Sequence, residues 1–368
     1  MLWGKAAGRC EFWGCNRVLS RSSVTQEQVN VAQKAHIYSI SADGPRGNEG
    51  IDKAELNSLS NLMLVCHECH QKLDKSKDGG RYTVELLQGW KTAHEARVEL
   101  VTGVSEDRRS HILLYGTNVG AHSSPLTFSA TAPRLFPERY PAEPNAIELG
   151  MVNSAWTDCD AEFWTIETGN LVRQFDQKVR DRLADGTITH LSVFGLAPQP
   201  LLILLGALLT DIPEADVFQL HREPQGWGWS PVDRDCSYFV REPKAMSSKP
   251  ALVLSLSARI THDRVQRVLG EDTAIWELSI AEPHNDFLQT RRQLQLFRQA
   301  VRPLMDRIKT AHGQTTPIAI FPAMPSAAAI ELGRIRMPKA DAPWHVYDQV
   351  NKKAGFLHAL SIPSESED

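Results

Sequence analysis

The sequence predicts two unlike parts: a small zinc-stapled α+β domain over the first hundred or so residues, then an α/β domain of two Rossmann-like repeats. Three observations carry this expectation. Four of the six cysteines stand as two close pairs, Cys10/Cys15 and Cys66/Cys69. From about residue 150 the apolar pattern alternates between helix-like and strand-like segments. Within that half, "LSVFGLAPQPLLILLGAL" from Leu191 and "IAIFPAMPSAAAIELGRI" from Ile318 align without a gap.

The cysteine spacing is C-x4-C, about fifty intervening residues, then C-x2-C. Each pair presents two thiolates from one tight turn, and two such turns brought together make a tetrahedral soft-ligand site of the kind Zn²⁺ prefers. A short region with few long apolar runs needs such a staple. These cysteines are therefore expected to be structural, and any chemistry falls to other side chains. Six cysteines in 368 residues make no disulfide scaffold, and Cys159 and Cys236 read as packing residues.

Those other side chains lie between and just after the pairs. In "QKAHIYSISADGPRG", His36 sits in a short alternating run with Ala35 and Ile37 that leads into a Gly/Pro turn, which predicts a strand ending in a loop. In "NSLSNLMLVCHECHQKLD", Asn61 precedes a short apolar segment, then come the Cys pair and His70 at the opening of a helix. The order of strand with His, Asn, then helix with His, clamped by four cysteines, resembles the zinc-containing branch of the HNH family of ββα-metal nucleases across roughly residues 1–100. That resemblance implies His36 as the general base activating a water against a phosphodiester, and His70 as ligand of Mg²⁺ or another divalent cation. It implies Asn61 as the residue holding the His36 loop, and Asp74 as a group orienting His70. His67, inside the Cys loop, is expected to be structural. Many HNH enzymes carry a metal ligand directly before the base, and here that position is Ala35.

Composition sets outer limits. With 42% hydrophobic and 23% charged residues the chain has ordinary soluble composition. The longest apolar stretch, Pro200 to Leu209, is far too short to span a bilayer, and no charged-then-apolar leader is present, so a cytoplasmic protein with no membrane partner is expected. A net charge of −4 does not announce a nucleic-acid binder, so DNA contact must come from local clusters such as Lys72, Lys75, Lys77 and Arg81.

Apolar spacing at Leu86, Leu87, Trp90 and Ala93 predicts a helix over 81–101 that closes the first domain near residue 102. The Ser/Thr/Pro/Gly-rich stretch 103–150 reads as a linker with short strands, leaving 151–368 as the second domain. There the repeat places Phe194 on Phe321, Pro198 on Pro325, Ile203 on Ile330, Leu205 on Leu332 and Gly206 on Gly333. Each copy reads as helix, buried strand, Pro-containing loop, helix, then a second strand ("DVFQL", "WHVYD"). Strand-to-helix loops of such units lie at the carboxyl edge of the sheet, where a helix N-terminus offers N–H groups to anions. Two facing copies suit a roughly two-fold ligand with two phosphates.

This half, through "LSVFGLAPQPLLILLG", "HREPQGWGW", "ALVLSLS" and "IFPAMPSAAAIELGR…VYD", resembles a SAVED domain, two fused CARF-like units that sense cyclic oligonucleotides in bacterial anti-phage systems. Candidate contacts to a cyclic di- or trinucleotide are the loop residues Ala197, Pro198 and Gln199, and their counterparts Met324, Pro325 and Ser326. Trp164, Trp227 and Trp229 are candidate base stackers, the last two favoured because flanking glycines suit an exposed loop. His221, Arg222 and Arg334 are candidates for phosphates or base edges. HNH followed by SAVED is the architecture of a CBASS effector. The resemblance thus implies a metal-dependent double-stranded DNA endonuclease, switched on by a cyclic oligonucleotide through homo-oligomer assembly. Two rivals are a restriction-type HNH enzyme whose C-terminal domain reads modified DNA, and a non-catalytic zinc-stapled DNA-binding regulator.

Overall fold

The computed structural model describes every residue except 49, 76–80, 118–125, 151–155, 157, 159, 351–354 and 365–368. Cys159 and Lys77 lie outside the described residues. The chain divides into two compact units, Met1–Glu106 and Asp107–Asp368.

The first unit runs α1 (Leu2–Lys5), β1 (Ala32–His36), α2 (Lys53–Leu56), β2 (Leu62–Cys66), α3 (His67–Lys75) and α4 (Val84–Thr102). β1 and β2 pair antiparallel, with Ala32 opposite Cys66 and His36 opposite Leu62. β2 is buried along its whole length, as its unbroken apolar run dictates, whereas β1 turns Ala35 inward and keeps its other residues at least partly exposed. No loop separates β2 from α3, so Cys66, Cys69 and His70 are fixed by the end of a buried strand and the first turn of a helix. α4 begins at Val84 because the Thr83 hydroxyl accepts the Leu86 N–H as an N-cap. Leu2, Leu19, Ile37, Leu64, Leu73 and Leu87 form the core, beside an edge-on trio of Phe12, Tyr82 and Trp90.

The second unit begins with β3 (Arg109–Gly116), α5 (Phe128–Thr131), β4 (Tyr140–Pro141) and β5 (Ile147–Leu149). α6 (Ala161–Phe175) follows and continues through a π-turn into α7 (Asp181–Ala184). Then come β6 (Leu191–Leu196), α8 (Gln199–Leu209), β7 (Ala215–Phe218) and the small ribbon of β8 (His221–Arg222) with β9 (Gln225–Gly226). The second half holds β10 (Phe239–Arg241), β11 (Pro250–Ser255), α9 (His262–Leu269), β12 (Ala274–Ser279), α10 (Arg291–His312), β13 (Ile318–Ala323), α11 (Ser326–Arg334), β14 (Trp344–Val350) and β15 (Gly355–Ile362).

The stretch expected to be a linker is corrected here. Residues 109–116 form β3, which lies inside the first sheet between β4 and β6 and pairs parallel with β6 from His111 to Gly116. Six of its eight residues, Ser110 to Tyr115, are buried. A strand covered on both faces reads as a short apolar run without alternation, and the Ser/Thr/Pro-rich flank after it masked that signal. The first repeat therefore starts at this strand, some forty residues before the expected boundary.

Both sheets are wound the same way. The first has the order β4-β3-β6-β7, with β5 also pairing β3, and the second has β10-β12-β11-β13-β14-β15. In the first sheet β3 stands between β4 and β6, with β5 also pairing it, and in the second β11 stands between β12 and β13, so the winding reverses between β3 and β6 and again between β11 and β13. The repeat reaches into ring packing: Phe194 stacks on Phe218 at 4.4 Å, and Phe321 stacks on Tyr347 at 4.6 Å.

The halves meet through α8 and α11. A Cβ on Gly206 would stand 1.9 Å from the Ile330 carbonyl oxygen, and a Cβ on Gly333 would stand 2.0 Å from the Ile203 carbonyl oxygen. Because Gly206 aligns with Gly333 and Ile203 with Ile330, the contact is reciprocal, like an isologous dimer interface folded into one chain. Glycine in an exposed helix costs about 1 kcal/mol relative to alanine, but here close backbone approach decides the sign. Gly206→Ala or Gly333→Ala is expected to destabilise the second unit by about 3 kcal/mol or more, read as a lowered midpoint in thermal denaturation.

At the amino edge of the first sheet His190 is buried, its Nδ1 2.8 Å from the Ser110 hydroxyl, which also meets the Ser192 hydroxyl at 2.8 Å. Asp216 lies 3.7 Å from His190 Nε2. The Ser–His–Asp order is not a catalytic triad, since Ser110 and Ser192 are sealed from solvent. Burial, then the nearby Arg139, pushes the His190 imidazole down to about 4, and burial also lowers His111 and His221. A depressed folded-state value means the unfolded chain takes up the proton first. The stability these neutral histidines provide is complete above about pH 6.5 and is lost as pH falls toward 4. The melting temperature of the second unit should accordingly drop across that window in calorimetric scans.

Candidate functional site

The four cysteine sulfurs of the first unit all lie within 4.8 Å of one another, with Cys15 Sγ 3.9 Å from Cys66 Sγ. Cys10, Cys66 and Cys69 are buried and Cys15 is half-buried. A tetrahedral zinc with Zn–S bonds of about 2.3 Å needs sulfurs about 3.8 Å apart, so the cluster is compatible with a zinc site. Burial pushes the Cys10 thiol up to about 12 and that of Cys69 up as well, each with added repulsion from neighbouring sulfurs. Four clustered thiolates, three of them buried, would need a cation to coexist, and a divalent metal would supply it.

Around this cluster the structure arranges His36, Asn61 and His70. Asn61 is buried: its Oδ1 accepts the Tyr38 N–H at 2.7 Å, and its Nδ2 donates to the carbonyls of Tyr38 (3.1 Å) and Leu56 (2.8 Å). The backbone following His36 is thus clamped. His36 is half-buried, and its Nε2 is sealed from solvent with no hydrogen-bond partner among the described residues. His70 faces β1, with Nε2 3.2 Å from the Lys34 carbonyl and Nδ1 3.0 Å from Asp74 Oδ2. Exposed His67 contacts Gln33 and Gln71. Ala35 is buried and offers no ligand. Among the described residues no second group of three metal-ligating side chains accompanies the four cysteines, and both ring nitrogens of His70 meet protein oxygens. Of the basic cluster, Lys72 is paired with Glu68 at 2.7 Å.

Sequence reasoning assigned no role to Arg46. Its guanidinium donates to the carbonyls of His36, Ile37 and Leu73, tying the end of β1 to the end of α3. Burial lowers its pKa, opposed by Asp74. Its position in the "GPRG" turn was the available signal, but nothing along the chain said that the side chain would fold back.

In the second unit a cavity of about 540 Å³ opens where the strand-to-helix loops of the two halves face each other. Leu196, Ala197, Pro198 and Gln199 line it from one half, and Met324, Pro325 and Ser326 from the other. The loops follow β6 and β13, so the cavity lies beside both reversal points of the winding. Gln199 Oε1 accepts the Met324 N–H at 3.0 Å and links the two loops. His221 and Arg222 reach the cavity from β8. Burial lowers the pKa of His221, and its Nε2 has no partner. A larger cleft of about 830 Å³ beside β10 and β12 involves the second half alone, and its His262 and Glu277 already pair at 3.1 Å.

Four expected contacts are corrected. Trp164 is buried edge-on against Phe163 at 5.1 Å, and Trp227 is buried edge-on against Phe194 at 5.2 Å. Trp229 is half-buried with its edge on His221 at 5.6 Å. None of the three lines the cavity. The segment around "GWGW" is exposed at Gly228, but its tryptophans turn inward and its glycines admit the Arg134 guanidinium, which would lie 3.4 Å from a Cβ at Gly226 and 3.2 Å from one at Gly228. Arg334 is buried at the far end of α11, paired with Glu331 at 2.8 Å and donating to the carbonyls of Thr210, Pro213 and Ala215. It fastens the loop between α8 and β7. Cavity residues that sequence reasoning missed include Asp158, Gln219, Ser257, Asp286 and Asp348. The repeat alignment carried on without a gap sets Gln219 on Val346, and only the strand register of the fold makes Gln219 and Asp348 counterparts.

Fold and cavity together define an α/β pseudo-dimer with a cavity between the loops of its two halves. The profile of the SAVED family, the SMODS-associated and fused to various effectors sensor domain, matches residues 171–362, and the chain belongs to that family. Among solved structures the fold is similar to that of the Acinetobacter baumannii Cap4 SAVED/CARF-domain containing receptor with the cyclic trinucleotide 3'3'3'-cAAA. That match has a TM-score of 0.46 at 12% identity, over 80% of this chain and 66% of that one. The Moraxella osloensis Cap4 receptor gives 0.43 at 11% identity, over 85% and 70%. The chain thus spans about two thirds of the length of these receptors. No curated protein sequence matches it. No described helix is long and apolar enough to cross a membrane.

Proposed function

We propose that the chain is a divalent-metal-dependent, HNH-type DNA endonuclease whose cutting is switched on by a cyclic oligonucleotide bound in the cavity of its SAVED domain, as in a CBASS anti-phage effector. The observation that carries the nuclease half is the arrangement of the first unit. A β-β-α element clamped by four cysteines presents a half-buried His36, a loop held by Asn61, and His70 beside Asp74. In this reading His36 takes the proton of the attacking water. His70 would hold the divalent cation, with Asp74 orienting its ring, and the cation would supply charge stabilisation at the phosphate. With Ala35 before the base, the cation would be held by fewer protein ligands, by another residue or by substrate phosphate.

Membership of the SAVED family supports the sensor half, and the cavity between facing loops suits a two-fold phosphodiester ring. One HNH site cuts one strand, so duplex cleavage calls for two sites brought together, and ligand-driven self-assembly is the switch. The experiment is plasmid cleavage with Mg²⁺, without ligand and then with each of a panel of cyclic di- and trinucleotides, with light scattering alongside. Cleavage and a size increase with one or two ligands is the expected result. Ligand-independent cleavage would move the second unit toward DNA recognition, and no cleavage under any condition would leave a zinc-stapled binding protein.

A further inference from the structure

The cavity's shape is two-fold and its chemistry is not. Phe218 and Tyr347 occupy matching places, each stacked on the matching Phe194 or Phe321, so the next residues, Gln219 and Asp348, are counterparts. Both line the cavity. Gln219 is spent inside the protein: its Oε1 accepts the Ala327 N–H at 3.0 Å and its Nε2 donates to the Leu220 carbonyl at 2.8 Å. Asp348 is a carboxyl at the matching place. Asp158 from the first half and Asp286 from the second also line the cavity, with Arg222 and the imidazole of His221 from the first half.

A carboxylate repels phosphate, so acid in a site for an anionic ligand has a use only toward hydrogen-bond donors. An ionised carboxyl is acceptor-only and takes two N–H donors side by side. Guanine presents such an edge in its ring N–H and exocyclic amino group, whereas adenine sets an amino donor beside a ring nitrogen acceptor. Resting on the reading of this cavity as a cyclic-oligonucleotide site, we propose that Asp348 is a specificity-determining residue that selects a guanine-type donor edge on the second half of the ligand. Gln219 makes no such selection on the first half, and the two bases of the ligand are read by different rules. Burial, then Asp158, pushes the Asp348 carboxyl up to about 7, so the selection is strongest in mildly alkaline buffer.

The test is calorimetric titration of the full chain with cyclic di-GMP and cyclic di-AMP at about pH 8, where the carboxyl is ionised. Asp348→Asn and Asp348→Ala are titrated in parallel, with a thermal melt for each protein. The expected wild-type preference is about ten- to a hundredfold for the guanine ligand. Asp348→Asn, whose amide offers one acceptor and one donor, should shift the ratio toward adenine, and Asp348→Ala should abolish the preference without gaining adenine. A wild type without guanine preference, or a ratio unchanged in both variants, overturns the assignment while leaving the cavity as a nucleotide site. Failure of the wild type to bind either ligand, or any other of the cyclic di- and trinucleotide panel, overturns the cavity reading with it.

Discussion

His36→Ala is expected to lower ligand-stimulated, Mg²⁺-dependent plasmid cleavage by about a hundred- to ten-thousandfold, the contribution of a positioned general base. Ligand binding and the thermal melt should be unchanged. The loss should fall on kcat, because the imidazole acts on water in the transition state rather than on DNA binding. The side chain can be removed cheaply because it is only half-buried and its ring makes no hydrogen bond that the fold depends on. Asn61→Ala is the informative companion. Its amide makes three hydrogen bonds to backbone groups of Tyr38 and Leu56, so its removal should cost both cleavage and about 2 kcal/mol or more of stability. Activity lost without stability at His36, and both lost at Asn61, would separate the reacting group from the group that holds it. Full cleavage by the His36 variant would remove the nuclease assignment of this histidine.

What was legible along the chain was whatever a local spacing encodes. The cysteine pairs are tight turns and could be read as one cluster without knowing the fold. The helix before each repeat strand, the loop prolines and the shared glycines survive as an aligned pattern, so the parallel α/β architecture was readable. β3 was not, because a strand buried on both faces carries no alternation and its neighbours advertise loop. The misplaced tryptophans share another cause. Whether Trp227 faces solvent depends on Arg134, nearly a hundred residues earlier in the chain, filling the space beside Gly226 and Gly228. Arg334 carries a charge that looks available for phosphate, but three carbonyls and Glu331 take it, and only the tertiary fold brings them together. Arg46 and Asp348 were missed for the same reason: their partners or counterparts are set by folding, not by spacing.

Metal removal should produce the largest structural effect, and only in one of the two units. Chelation at neutral pH, or Cys69→Ser, is expected to unfold Met1–Glu106 while the melt of Asp107–Asp368 stays where it was. The sulfurs join the loop after α1, the end of β2 and the first turn of α3, which without them share only a modest core. Structural zinc in small domains contributes about 10–16 kcal/mol of apparent binding energy at neutral pH, more than a unit of this size holds in net stability. Metal-bound thiolate competes with protons for sulfur, so metal release should become easier as pH falls. A calorimetric scan with and without chelator, with zinc counted by atomic emission, checks the claim. The expected trace loses its first transition and keeps its second, with one zinc released per chain. A first unit that keeps its melt after the metal is gone would mean that its apolar core suffices, and the four cysteines would then need another account.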